Sequence, residues 1–163
     1  MKYVLCALAP LVLAGCMSYG PGSFKPGTTA EAARAALGPS SGEFPLPDGG
    51  RRLEFARGPY GKHTYMLDFD AGGHLQKWEQ VLTEARFNAI QPGMDAQDVL
   101  ALIGHSREHS IVGWSEKQTV WGYRYETPFC QWFQVGLDTR GKVVGTSYGP
   151  DPLCDARDPG GLL

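Results

Sequence analysis

The sequence predicts an α+β fold built from two tandem helix(-helix) and antiparallel-sheet repeats, with the helices packed on one face of the sheet. Three observations carry that expectation. PGTTAEAARAALGP (26–39) and PGMDAQDVLALIGH (92–105) match at Pro, Gly, Ala, Ala and Gly with a constant offset of 66, the mark of a duplicated unit. Downstream of each, the apolar period changes from 3.6 to 2, the signature of strands following a helix. Each copy then reaches a glycine-containing turn, DAGG at 70–73 and DTRG at 138–141, suited to a short hairpin.

Residues 1–15 read as a lipoprotein signal peptide. Lys2 is followed by an apolar run from Tyr3 to Leu13, about half of the roughly 20 residues that span a bilayer. The four residues Leu13, Ala14, Gly15 and Cys16 resemble a bacterial lipobox, which implies that Cys16 is acylated and becomes the mature N-terminus. Several acyl chains on one residue anchor a protein firmly, because each buried methylene adds about 0.8 kcal/mol. Met17 and Ser18 are not the aspartate that, by the same resemblance, retains lipoproteins in the inner membrane. The periplasmic face of the outer membrane is the expected address. Residues 16–25 are rich in Gly, Pro and Ser and read as a flexible tether.

The first repeat is assigned to residues 26–80 and the second to 81–148. In the second, Asp95 is placed to cap a helix, Met94 and Val99 form a staple, and Val99, Leu102 and Ile103 share one face. In the first, Thr29 caps and the stripe thins to Ala33, Ala36 and Leu37. If all of these positions are interior, the first helix gives up about five methyl or methylene groups, or about 4 kcal/mol of burial. Strands are expected around Leu53 and Phe55, Tyr65 to Phe69, and His74 to Val81. Their counterparts lie around Trp121 to Tyr125, Phe133 to Leu137, and Lys142 to Tyr148. The segments PSSGEFPLPDGG and HSREHSIVGWSEKQ read as loops. A further helix is expected within VLTEARFNAIQPG, capped by Thr83. The opposite face of the sheet, open in this plan, carries Glu54, Thr64, Met66 and Asp68 in copy one and Gly122, Arg124, Trp132 and Gln134 in copy two.

Four cysteines, less Cys6 in the signal and the acylated Cys16, leave Cys130 and Cys154. In an oxidising compartment an even remainder points to a bridge, with free buried thiols as the alternative. A bridge would hold the Pro/Gly-rich tail at 149–163. Without Lys2 the mature chain has 14 cations against 17 anions, a balance that gives no footprint for nucleic acid.

The runs VLTEARFNAIQPGMDAQDVLALIG, VWGYRY and WFQVGLDTRGKV, behind a lipobox, resemble the SmpA/OmlA/BamE family of outer-membrane lipoproteins. The resemblance covers residues 81–148 well and 26–78 weakly. A tandem pair of such units is similar in plan to the β-lactamase inhibitor protein, in which two repeats form one curved sheet that grips a partner. The resemblance implies a non-catalytic protein-binding role in outer-membrane protein assembly or envelope integrity. Its second implication is inhibition of a periplasmic enzyme.

No catalytic constellation emerges. GPSSG at 38–42 fits a nucleophile-elbow pattern, but it follows a helix where that geometry needs a strand before the serine. GLDTRGKV at 136–143 lacks the Ser or Thr of a phosphate loop. His105 and His109 have i, i+4 spacing but follow the glycine that ends the helix, with no further ligands placed. No metal, cofactor or small-molecule substrate is therefore expected. The aromatics between Trp114 and Phe133 are the distinctive feature. Trp132, with Arg124 and Gln134, is the candidate partner-binding set, since exposed aromatics beside Arg are common interface anchors. The competing reading is that Trp132 only covers the disulfide beside Cys130.

Overall fold

The Pro-Gly segment ahead of each eight-residue helix is tied to the hairpin of its own sheet, and the same hydrogen bonds recur in both copies. The structure, a computed structural model, describes residues 20–155. In the first copy Gly27 N donates to Leu75 O (2.8 Å), Leu75 N to Thr28 O (2.8 Å) and Ala30 N to Gly73 O (3.2 Å). In the second, Gly93 N donates to Val143 O (2.8 Å), Val143 N to Met94 O (2.9 Å) and Ala96 N to Gly141 O (2.8 Å). The turn aspartates match as well: Asp70 Oδ1 accepts from His74 N and Asp138 Oδ1 from Lys142 N, each at 2.9 Å.

Each copy continues into a four-stranded antiparallel meander. The first comprises α1 (Ala30–Leu37), β1 (Gly42–Pro45), β2 (Arg51–Arg57), β3 (His63–Phe69) and β4 (Leu75–Gln80). A single helical turn, α2 (Glu84–Phe87), leads into α3 (Ala96–Ile103), β5 (Glu108–Val112), β6 (Gln118–Tyr123), β7 (Gln131–Leu137) and β8 (Val143–Pro150), and a last turn, α4 (Pro152–Asp155), follows. The sheets are separate, with orders β1-β2-β3-β4 and β5-β6-β7-β8.

This corrects the α+β expectation. The protein is mostly β, two four-stranded antiparallel sheets with few and short helices, and not a helix layer packed on one face of a single curved sheet. The loop assignments conceal two strands. GEFP forms β1 despite its Gly and Pro, and EHSIV forms β5. The expected helix at 81–93 is one turn with Phe87 buried, because Pro92 and the Asn88 cap leave no room for a second.

Each sheet buries one face in its own core. Ala30, Ala33 and Leu37 of α1 close the first over Leu53, Phe55, Leu67, Phe69 and Leu75. Val99 and Ile103 of α3 close the second over Tyr123, Phe133, Val135, Leu137 and Val143, with Phe87 stacked 4.2 Å from Phe133. Ala36 is exposed and Leu102 only half-buried, so the helices differ at their inner face mainly by Val99 against Ala33. Two methyl groups are worth about 1.6 kcal/mol, less than the full stripe suggests. Asp95 makes no cap hydrogen bond; its carboxylate turns to Lys142 Nζ at 2.8 Å instead. Gly38 and Gly104 end the helices at φ 82° and 81° with extended ψ, a region that glycine alone enters freely.

At the N-terminal side, the signal peptide and Cys16 lie outside the described residues. The end of the expected tether, residues 20–25, is not free of the fold, because Pro21 is buried and Phe24 packs on the first core; residues 16–19 lie outside the described residues. In the tail, Gly149 and Pro150 belong to β8 and Cys154 to α4. Residues 156–163 lie outside the described residues.

Candidate functional site: the outer faces of the two sheets

The outer face of the first sheet is not open. Glu54, Thr64, Met66 and Asp68 are all buried, because the end of α3 from the second repeat lies against them. Alternation along a strand tells which face a residue occupies, not whether another part of the chain covers that face. The contact is a polar latch. Arg52 forms a forked pair with Asp68, Nε to Oδ1 at 2.6 Å and Nη2 to Oδ2 at 2.9 Å, and its Nη1 donates to Ala101 O at 3.0 Å. One guanidinium thus satisfies a carboxylate and a helix-terminal carbonyl. Asp68 is held below the usual carboxylate range: burial raises its pKa, but the Arg52 hydrogen bond and charge, with Lys77, outweigh that.

Glu54 sits fully buried at the centre of this junction. Its carboxylate accepts from Ser41 Oγ (2.9 Å) and His105 N (3.1 Å), and His105 Nδ1 lies 2.6 Å away. A buried charge must be paired and hydrogen-bonded to be tolerated, and three donors converge to do so. Tyr123 O–H donates to Gly104 O at 3.0 Å; burial pushes its phenol pKa far up, and the Glu54 charge adds to that. Sequence alone leaves Arg52 unnamed, places Glu54 and Asp68 on an open face and weighs His105 only as a metal ligand, since no local pattern marks a mid-strand carboxylate as internal.

In the second sheet the corresponding face is open as far as the described residues go. Strand register places Ser110, Val120, Gly136 and Gly145 in one row, and Glu108, Gly122, Gln134 and Ser147 in the next. All but Glu108 and Gly122 border a shallow groove of about 430 Å³. Every counterpart of the latch, 68 residues on, is small or uncharged: Arg52 becomes Val120, Glu54 becomes Gly122, Asp68 becomes Gly136 and Lys77 becomes Gly145.

Trp132, Arg124 and Gln134 are brought together on this face. The indole lies flat on Gly122, where an added Cβ would sit 2.5 Å from the ring, so only glycine permits this packing. Arg124 also packs on the indole, its guanidinium carbon 5.5 Å from the ring centroid. The guanidinium is already paired, Nε to Asp151 Oδ2 at 2.8 Å and Nη1 to Glu108 Oε1 at 2.7 Å. Burial lowers its pKa, but the two carboxylates more than restore it. Arg124 therefore braces Trp132 and is not a spare cation. Ser147 Oγ donates to Gln134 Oε1 at 3.4 Å.

Cys130 and Cys154 form a disulfide with Cα atoms 6.3 Å apart, within the usual range. The bridge borders a second cavity of about 290 Å³ with Lys62, Pro128, Phe129 and Leu153. His105 joins the latch, and His109 stacks on Trp121 at 5.9 Å. Among the described residues no three His, Cys, Asp or Glu side chains are grouped to hold a metal, and no helix is long and apolar enough to cross a membrane.

No family model matches the chain, and no curated protein does. A solved extracellular protein containing an SCP domain from Bacillus anthracis str. Ames aligns over 95% of this chain and 53% of its own, at 11% identity and a TM-score of 0.32. This chain thus spans about half of that protein, and a score of that size carries no argument about fold or function.

Proposed function

We propose that the protein is a lipoprotein, anchored through Cys16 at the periplasmic face of the outer membrane, that works as a non-catalytic protein-binding module. The observation that carries this reading is the contrast between the two outer faces. The first is filled by the chain itself, and its counterpart, lined by Val120, Gln134, Gly136 and Val144 beside the braced Trp132, is left uncovered. A rigid aromatic held by glycine and arginine is a preorganised anchor, costing little ordering entropy on contact. The uncharged lining favours a partner presenting neutral surface, because charge buried there would lack a counter-ion. The resemblance of residues 81–148 to the SmpA/OmlA/BamE lipoproteins adds outer-membrane protein assembly as the process served.

Crosslinked capture from membranes tests the reading, comparing the wild-type chain with Trp132→Ala. Recovery of outer-membrane assembly proteins by wild type, lost in Trp132→Ala while the melting temperature holds, supports it. Recovery of a soluble periplasmic hydrolase instead would favour an inhibitor. A variant that melts lower with capture intact returns Trp132 to a structural role. Cys16→Ser should move the protein into the soluble periplasmic fraction; persistent membrane association would sink the anchoring argument.

A further inference from the structure

Among the described residues four strands lie at sheet edges, β1 and β4 in the first sheet and β5 and β8 in the second, and an unguarded edge is a template for another strand. Three are blunted. β1 ends in Pro45, with Glu43 held between Arg34 (3.2 Å) and Arg51 (3.3 Å). β4 presents Lys77, paired with Asp68, and Glu79, paired with Arg86. β8 carries Gly145 and Gly149 and ends at Pro150. β5, EHSIV, has neither Pro nor Gly, all five of its residues are exposed, and its one ion-paired charge, Glu108 with Arg124, sits at its first residue, away from the apolar end. Its apolar end runs through Ile111 (73% exposed) and Val112 (44%) to Trp114, wholly exposed beyond the strand. Isolated surface apolar residues are ordinary, but three within four residues at an exposed edge are not.

We infer that β5 is a self-association edge. A second copy lays its own β5 antiparallel against this one about a two-fold axis at Ser110, joining two four-stranded sheets into one of eight. Ser110 is the centre that pairs all five residues of the strand. It sets Glu108 opposite Val112 of the second copy and His109 opposite its Ile111, so no like charges face each other. His109 stacks on Trp121, which borders the second core, so the arriving Ile111 extends an existing apolar surface. The two open grooves then abut across the new seam, since Ser110 and Val112 line both.

Size sets the strength. The exposed parts of Ile111, Val112 and Trp114 amount to roughly 400 Å² per copy, about half of the roughly 800 Å² each partner contributes to a standard interface. The dimer is therefore weak in solution and forms at high local concentration.

The test uses the full chain over about 5 to 500 μM, a range suited to a weak interface, with mean mass read by analytical ultracentrifugation. Mass should rise toward twice the monomer, and Ile111→Lys should move the midpoint at least about tenfold higher while leaving the melting temperature unchanged. Ser110→Cys, facing itself across the axis, should give a reducible dimer under mild oxidation well above the parent chain. Val144→Cys, equally exposed on the far edge, should not. A constant monomer mass over the whole range overturns the inference. So does association that Ile111→Lys leaves untouched, or Ser110→Cys crosslinking no faster than Val144→Cys.

Discussion

Replacing Glu54 with alanine should be among the most damaging single changes in the first sheet. The carboxylate is completely buried and takes hydrogen bonds from Ser41 Oγ, His105 N and the His105 ring. Removing it leaves the His105 backbone N–H without its acceptor, at about 1 to 3 kcal/mol if that group stays dry, while Ser41 Oγ keeps Glu54 O as an acceptor at 3.2 Å. The cavity left by the lost side chain adds roughly 1 kcal/mol. The sum, about 2 to 4 kcal/mol, overlaps what removing one half of a buried charged network costs. For a domain of this size it lowers the melting temperature by roughly 4 to 16 °C. Glu54→Gln keeps the volume and one acceptor oxygen and should lose about 1 to 2 kcal/mol. His105→Ala removes a ring that is 49% exposed, so it should cost about 1 kcal/mol or less. Thermal and urea unfolding followed by circular dichroism give the ranking. A loss under about 1 kcal/mol for Glu54→Ala, or one no larger than that of His105→Ala, would refute the claim that the latch holds the repeats together.

Gly122→Ala should cost about 1 to 3 kcal/mol by lifting the indole off its seat, visible as altered tryptophan fluorescence. Gly145→Ala, with nothing within 4 Å of the new Cβ, should stay within about 0.5 kcal/mol; equal effects would mean the packing of Trp132 is incidental. Reducing the Cys130–Cys154 bridge, which spans 24 residues, should remove about 3 kcal/mol in the chain-entropy model, measured as the melting shift with and without reductant. On acidification, Asp68 contributes stability that is complete above its unfolded pKa and lost as pH falls through its depressed folded pKa, because the unfolded carboxylate takes up its proton first. Stability should therefore decline below about pH 4, and Asp68→Asn should flatten that decline; an unchanged acid limb would mean the Arg52 pair carries no net stabilisation.

Helices α1 and α3 and the six longer strands were legible because their buried residues repeat at a fixed spacing. Phe55, Leu67, Phe69, Phe133, Val135 and Leu137 all lie on the inner faces where alternation puts them. β1 was not legible because it is only four residues long and is bounded by Gly42 and Pro45, residues that read as a turn; β5 was not legible for a different reason. An edge strand exposed along its length, as β5 is, has no inside and outside to write into its sequence. Missing both strands made the helices weigh too much in the expected class. The disulfide followed from counting and from the compartment. The grouping of Trp132, Arg124 and Gln134 followed from strand parity, but the bracing role of Arg124 did not, since Glu108 and Asp151 come from a strand read as a loop and from the tail. The latch was invisible because it is a contact between repeats, and within each repeat its residues read as solvent-facing.

The duplication explains why the two outer faces differ. Once the end of α3 had docked on the first sheet, Arg52, Glu54 and Asp68 faced helix-terminal backbone groups that must be satisfied in a dry place, and charged side chains do that well. The second sheet has no following repeat in the described residues to dock on it. A set of charges there would have had no backbone to cap, and Val120, Gly122, Gly136 and Gly145 occupy those positions instead. Glycine at 122 in turn leaves the depth into which Trp132 lies down. The seat of Trp132 on that face is thus the residue-by-residue consequence of not being a latch. Restoring the latch residues on the second sheet should accordingly cost binding without improving stability.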